Sequence, residues 1–288
     1  MYADDLAYLK PVSTGSDENE LREDIQTLVN KYKEIALDLN SKKTKWMALS
    51  PGKRNHQLNL HIDGEEIERV DTFKYLGVDL DHKMCFKNHV ARITTKCRQV
   101  IGALNRTVRK FAPRKVFEKL YQTTVEPIMN YAIETWYPSQ VHLQTSVERV
   151  KRYAARLTTN NFTASYQDHL KTLNWKPICQ LATERRATLM FKYHYGMREI
   201  PSEALARNTT RRFSARTGHE LQYHLLNASS TTTLHSSANT MKRIWNAQPT
   251  TIATTRCPQA FRRLIQKQET YELLAKIVDV VRRTEIGL

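Results

Sequence analysis

Apolar residues in this chain change their spacing near residue 83, and that change sets the fold class. Over residues 17–39, Leu21, Ile25, Leu28, Val29, Tyr32, Ile35, Ala36 and Leu39 recur at helical spacing. Asp17 and Glu20 are placed as a capping box at the start of that helix. Short strand-like stretches follow at 44–49, 57–62 and 66–70, the last two joined by a turn at Asp63-Gly64, and 73–80 reads as one further strand. A helix on a small antiparallel sheet is an α+β arrangement. Beyond residue 83 the period is helical throughout: His89, Ile93, Cys97, Val100, Ile101 and Leu104 share one face. Pro113 opens a second helix with Val116, Leu120, Val125, Ile128 and Met129. Further helices are expected over 147–157 and 178–195, separated by a polar stretch at 160–165. Between 208 and 255 the composition shifts to Ser, Thr, Asn and His. That predicts a loose linker with order returning at 242–245, and 259–281 reads as one terminal helix. The expected organisation is an α+β part over 1–82, a helical part over 83–207, and a linker with a terminal helical segment over 208–288.

Charge narrows the partner. The chain has 288 residues, a formal net charge of +16 and a pI near 9.7, a balance that attracts polyanions and gains from counterion release. Lys83, Lys87, Arg92, Lys96, Arg98, Arg106, Arg109, Lys110, Arg114 and Lys115 follow one another without an intervening Asp or Glu. A solvated helix face normally mixes signs, so an acid-free run points to a partner that supplies the negative charge. Tyr121, Tyr131, Trp136 and Tyr137 could stack on bases, but their helical spacing favours the core. The scattered Cys85, Cys97, Cys179 and Cys257 suggest neither a disulfide framework nor a zinc ribbon, and His219, His224 and His235 have no cysteine at zinc-ligand spacing. With no long apolar run and no secretory pattern, a soluble intracellular chain with no membrane span is expected, nuclear and cytoplasmic both open.

The motifs sharpen this. The chain begins Met1-Tyr2-Ala3-Asp4-Asp5, and adjacent carboxylates on a tight turn can hold the divalent metal that clamps a phosphoryl transfer. Asn40-Ser41-Lys42-Lys43-Thr44-Lys45 and Phe73-Lys74-Tyr75-Leu76-Gly77 follow. Next come Leu120-Tyr121, Val125-Glu126-Pro127-Ile128, Tyr131-Ala132, Glu134-Thr135-Trp136 and an arginine-rich stretch from Arg149 to Arg156. Trp245-Asn246-Ala247-Gln248-Pro249 and Phe261 complete the series. In this order they resemble the C-terminal half of the reverse transcriptase of non-LTR (LINE-type, jockey-like) retrotransposons.

The resemblance implies a partial polymerase palm followed by a helical thumb and C-terminal extension. It implies Asp4 and Asp5 as catalytic metal ligands for Mg²⁺ or Mn²⁺, with Tyr2 near the incoming nucleotide. Lys43 would lie at the nucleotide phosphates, Lys42 and Lys45 being alternatives. Phe73, Lys74, Tyr75, Leu76 and Gly77 would form the primer grip. RNA template, DNA primer and RNA-DNA hybrid are the implied partners, with the missing N-terminal half in trans as another. The third metal-binding aspartate and the fingers of such enzymes lie upstream of the Tyr-x-Asp-Asp box. The expectation is therefore a truncated RNA-directed DNA polymerase, inactive as this isolated chain. The alternative is a non-catalytic remnant that binds RNA or hybrid. Asp79 and Asp81 alternate as a metal pair would, but fall at a strand end.

Overall fold

The computed structural model describes residues 5–49, 58–108, 111–207, 219–226 and 231–277. The chain divides into two compact units, Met1–Met84 and Cys85–Leu288. The architecture is mixed helix and strand, with all the described strands in the first unit.

In the first unit, α1 (Gly15–Glu34) begins two residues earlier than the expected 17–39 helix. Thr14 is the N-cap: its hydroxyl accepts from the Asp17 amide at 3.3 Å, and the Asp17 carboxylate accepts from the Ser13 and Thr14 amides at 2.7 and 2.8 Å. Those amide donors hold the Asp17 carboxyl below its usual range. Asp17 thus closes a box headed by Thr14, and Glu20 instead pairs with Lys10 at 3.2 Å. The helix also stops short of Leu39. Ala36 turns left-handed (φ 57°), and the Leu37 and Ala36 amides donate back to the Tyr32 and Lys33 carbonyls at 2.9 and 3.0 Å. That Schellman closure leaves Ile35 exposed, although it continues the apolar period.

The strands are β1 (Lys45–Trp46), β2 (His61–Ile62), β3 (Glu65–Glu66), β4 (Glu68–Arg69), β5 (Thr72–Tyr75) and β6 (Val78–Asp81). They form three two-stranded ladders instead of one antiparallel sheet: β1 pairs with β4 in parallel, and β2 with β3 and β5 with β6 antiparallel. The Asp63-Gly64 turn is as expected, with φ of 50° and 80°. The segment 73–80 is a correction, because it is a hairpin and not one strand. Tyr75 pairs with Val78 around Leu76 (φ 44°) and Gly77 (φ 82°), and two successive positive φ values give the tight turn whose twist matches a hairpin. Val29, Leu58, Leu60, Ile62 and Ile67 form the core, with Leu21, Ile25, Leu39 and Trp46 packed against it.

The second unit comprises α2 (Lys87–Thr107), α3 (Arg114–Thr124), α4 (Glu126–Asn130), α5 (Ile133–Trp136), α6 (Val141–Thr159), α7 (Tyr166–Leu173) and α8 (Ile178–His194). After a 3₁₀ turn at Ser202–Leu205 come α9 (Thr231–Leu234), α10 (Ser237–Asn246), α11 (Thr250–Ala253), α12 (Pro258–Ile265) and α13 (Gln268–Ile277). α8 is central, packing against α5, α6, α10, α12 and α13. Arg186 on α8 is buried and donates to the Glu134 and Tyr137 carbonyls at 3.0 and 2.8 Å, tying α8 to α5; burial lowers its pKa to about 10. Glu148 on α6 is fully enclosed and accepts from the Tyr166 hydroxyl (2.7 Å) and from the Cys179 amide (3.0 Å) at the start of α8. A carboxylate there satisfies an amide that the helix leaves unpaired and complements its dipole. Burial nevertheless pushes its pKa up.

Several sequence expectations shift. α3 buries Phe117 and Tyr121 and exposes Val116, one residue out of phase with the expected stripe. The helix from Pro113 is interrupted at Val125, ahead of Pro127, which has no amide to continue the ladder. α6 is longer than 147–157, and α7 occupies a stretch to which no helix was assigned, capped by Ser165. Within 208–255, α10 and α11 are ordered around Trp245, which is 0% exposed and donates to the Leu221 carbonyl at 2.8 Å. The terminal helix breaks at Gln266, whose carbonyl accepts from Lys176 at 3.1 Å. Tyr121, Trp136 and Tyr137 are in the core, whereas Tyr131 is 54% exposed. Cys97 and Cys179 are buried, Cys85 is half-buried, Cys257 is exposed, and none of the four is in a disulfide.

Candidate nucleic-acid interface

Of the residues expected at the catalytic turn, Tyr2 and Asp4 lie outside the described residues, and Asp5 is exposed. No three His, Cys, Asp or Glu side chains come together among the described residues. Lys43 is exposed on a turn built by Asn40, whose carbonyl and side-chain oxygen accept from the Lys43 amide at 3.2 and 2.9 Å. Lys42 is also exposed, whereas Lys45 is engaged by Glu68 at 2.6 Å.

The five expected primer-grip residues occupy one hairpin. Phe73 and Lys74 are exposed on β5, Tyr75 ends that strand, and Leu76 and Gly77 make the turn. Lys74 faces Asp79 across the ladder, and the buried Asp81 accepts from the Lys83 amide at 3.1 Å. Asp79 and Asp81 thus belong to the hairpin and the turn that leaves it.

The acid-free run maps mainly onto α2. Val90, Ile93, Cys97 and Ile101 are buried on one side, and burial pushes the Cys97 thiol up to about 12. At 3.6 residues per turn, Arg92, Gln99 and Arg106 run along the middle of the opposite side, with Lys87 and Arg98 on one flank and Lys96 on the other. Lys87, Lys96, Arg98 and Arg106 are exposed. Arg92 is half-buried, its guanidinium 3.2 Å from Nδ1 of His89, which stands edge-on to Trp136 at 5.0 Å. A cation anchored in this way loses little rotamer entropy when an anion arrives. Gly102 and Ala103 lie between these cations, and the Arg106 guanidinium comes within 3.5 Å of where a Cβ on Gly102 would stand.

The remaining members are dispersed. Arg114 and Lys115 are exposed at the start of α3, where Arg114 lines a cavity of about 370 Å³ with Asn105, Phe117 and Asn160. Lys83 belongs to the first unit, and Arg109 and Lys110 lie outside the described residues. A second basic face is on α6, where Arg149, Arg152, Tyr153 and Arg156 share one side. Tyr153 is 41% exposed, and Phe162, just past the helix end, is 56% exposed. Sequence reasoning noted these arginines only as part of the family resemblance. Their i, i+3, i+7 spacing around an exposed tyrosine was the signal that could have singled them out.

No protein-family profile matches the chain, and no solved structure matches it. The chain is 26% identical over 140 residues to a 115 kDa protein in type-1 retrotransposable element R1DM of Drosophila melanogaster, covering 47% of this chain and 14% of that protein. It is also 26% identical over 132 residues to the uncharacterized protein B0403.1 of Caenorhabditis elegans, covering 42% of this chain and 64% of that one. The chain spans less than two thirds of the length of either relative. About half of this chain therefore has a distant likeness to a retrotransposon-encoded protein.

Proposed function

We propose that the chain is the C-terminal portion of a non-LTR retrotransposon reverse transcriptase, and that it grips RNA or an RNA-DNA hybrid through the α2 face without catalysing polymerisation alone. The observation that carries the binding reading is the solvent side of α2, which holds Lys87, Arg92, Lys96, Arg98 and Arg106 and no carboxylate. A helix with that charge pattern repels itself unless a polyanion neutralises it. The ordered motifs and the R1DM likeness support the retroelement origin. In the parent enzyme Asp4 and Asp5 would hold Mg²⁺ or Mn²⁺, and the 73–77 hairpin would position the primer end.

Two assays test this. Binding of a labelled RNA-DNA hybrid should weaken steeply with salt and weaken further in Arg98→Gln/Arg106→Gln. A salt-insensitive affinity refutes the binding reading. Primer extension on poly(A) with Mg²⁺ or Mn²⁺ should require restoration of upstream coding sequence and should vanish in Asp4→Ala and Asp5→Ala. Asp-dependent extension by this chain alone refutes the non-catalytic part. Failure of the restored chain to extend a primer refutes the polymerase origin.

A further inference from the structure

The α6–α7 face differs in chemistry from the α2 face. On α2 the cations surround small or polar residues, namely Ala91, Thr95, Gln99, Gly102 and Ala103. On α6, Arg149, Arg152 and Arg156 surround the exposed ring of Tyr153, and the exposed ring of Phe162 follows just past the left-handed C-cap Asn160 (φ 52°). Guanidinium groups interleaved with exposed rings suit a strand whose bases are unpaired, because a paired duplex presents no base faces to stack on. We infer that the α6–α7 face is a platform for single-stranded nucleic acid, on which Tyr153 and Phe162 stack bases while Arg149, Arg152 and Arg156 hold the phosphates.

Two further observations fit an anionic strand. Arg152 lies over the Tyr166 ring at 5.3 Å, which orders its guanidinium beforehand. The nearby carboxylates are already engaged. Asp168 accepts from the Ser165 hydroxyl at 2.7 Å, Glu148 is turned inward to Tyr166 and Cys179, Glu126 holds Lys151, and Glu118 accepts from the Trp175 ring nitrogen. The spacing is also suitable, since seven residues of α6 separate Tyr153 from Asn160 and span roughly 10 Å along the axis, about the reach of two or three nucleotides of extended strand.

This inference rests on the nucleic-acid reading above, and one set of binding curves separates the two. The full chain is titrated against labelled oligo(U), which stays single-stranded, and against a 20-base-pair RNA-DNA hybrid. Tyr153→Ala/Phe162→Ala should bind oligo(U) about tenfold or more weakly, in keeping with the loss of one or two stacked bases, and should bind the hybrid within about twofold of the unchanged chain. Tyr153→Phe, which keeps the ring, should restore most of the Tyr153 share. Unchanged oligo(U) affinity in the double alanine variant overturns the platform. So does an equal loss for both ligands, which would mean a structural effect. Ring-dependent binding to vesicles containing anionic lipid, without oligo(U) binding, overturns it as well in favour of a membrane surface. If Arg98→Gln/Arg106→Gln leaves hybrid binding intact while the ring dependence for oligo(U) holds, the α2 reading fails and the platform stands.

Discussion

The salt dependence of hybrid binding follows numerically from the α2 face. Five cations, Lys87, Arg92, Lys96, Arg98 and Arg106, share its solvent side, so the largest number of phosphates that helix can neutralise is five. Each neutralised phosphate on a duplex contributes about −0.9 to the slope of log affinity against log salt, so the expected limiting slope is about −4.5. Raising salt from 50 to 200 mM should then weaken binding by about 500-fold. Replacing Arg98 and Arg106 with Gln removes two of the five, giving a slope of about −2.7 and a loss of about 40-fold over the same range. The assay is fluorescence anisotropy of a labelled hybrid at four or more salt concentrations. Arg263→Gln serves as the control, since Arg263 is exposed on α12. A slope shallower than about −2 in the unchanged chain refutes the reasoning. An equal change for Arg263→Gln also does, since the effect would then report net charge and not the α2 face.

Four further outcomes are expected. Trp245→Ala should cost about 3–5 kcal/mol in urea unfolding, because it empties a fully enclosed site and strands the Leu221 carbonyl; a loss below about 1 kcal/mol would mean α10 is not part of the cooperative core. Glu148→Ala should cost about 3 kcal/mol or more by leaving the Tyr166 hydroxyl and the Cys179 amide without an acceptor. Glu148→Gln, which keeps an oxygen there, should cost clearly less in the same unfolding assay. Burial lowers the His194 pKa from the ordinary histidine value of about 6.5 to about 4, so the unfolded chain binds the proton that the folded chain refuses. Stability should be full above about pH 6.5 and fall as pH drops toward 4; a pH series on His194→Gln should flatten that decline, and an unchanged decline would assign it to other groups. Leu76 holds φ 44° in the hairpin turn, a strained setting for Leu that Asn tolerates better, so Leu76→Asn should raise stability by about 0.5–1 kcal/mol. A lower melting temperature would refute that turn geometry.

Much of the local structure was legible. The expected 178–195 helix is close to the observed Ile178–His194, and the Asp63-Gly64 turn forms as its residues dictate. The misses share a cause: apolar spacing reports which residues can be buried, not where the backbone turns. Leu39 keeps the period of α1 after Ala36 has turned the chain out of the helix. At 73–80 the residues fit one strand equally well until Leu76 and Gly77 turn left-handed. The Ser- and Thr-rich stretch around α10 looks like a linker by composition, yet Ser236 caps the helix and Trp245 is enclosed. For the candidate site, the α2 run was visible as charge without acid, while the α6 face emerged only when burial separated its exposed ring from its core residues.

What the sequence by itself determined are the properties that short stretches of chain carry: the switch from strand-like to helical periodicity near residue 83, the basic balance, the acid-free run and the order of the motifs. The tertiary structure alone decided the properties that need distant residues as neighbours. The phase of α3 was chosen by the stacking of Tyr121 on Trp175 at 4.6 Å, and the start of α8 is satisfied by Glu148 from 31 residues away. It also determined which basic side chains face solvent. Burial and hydrogen-bond satisfaction are sums over all neighbours in space, and a local pattern contains only the neighbours along the chain.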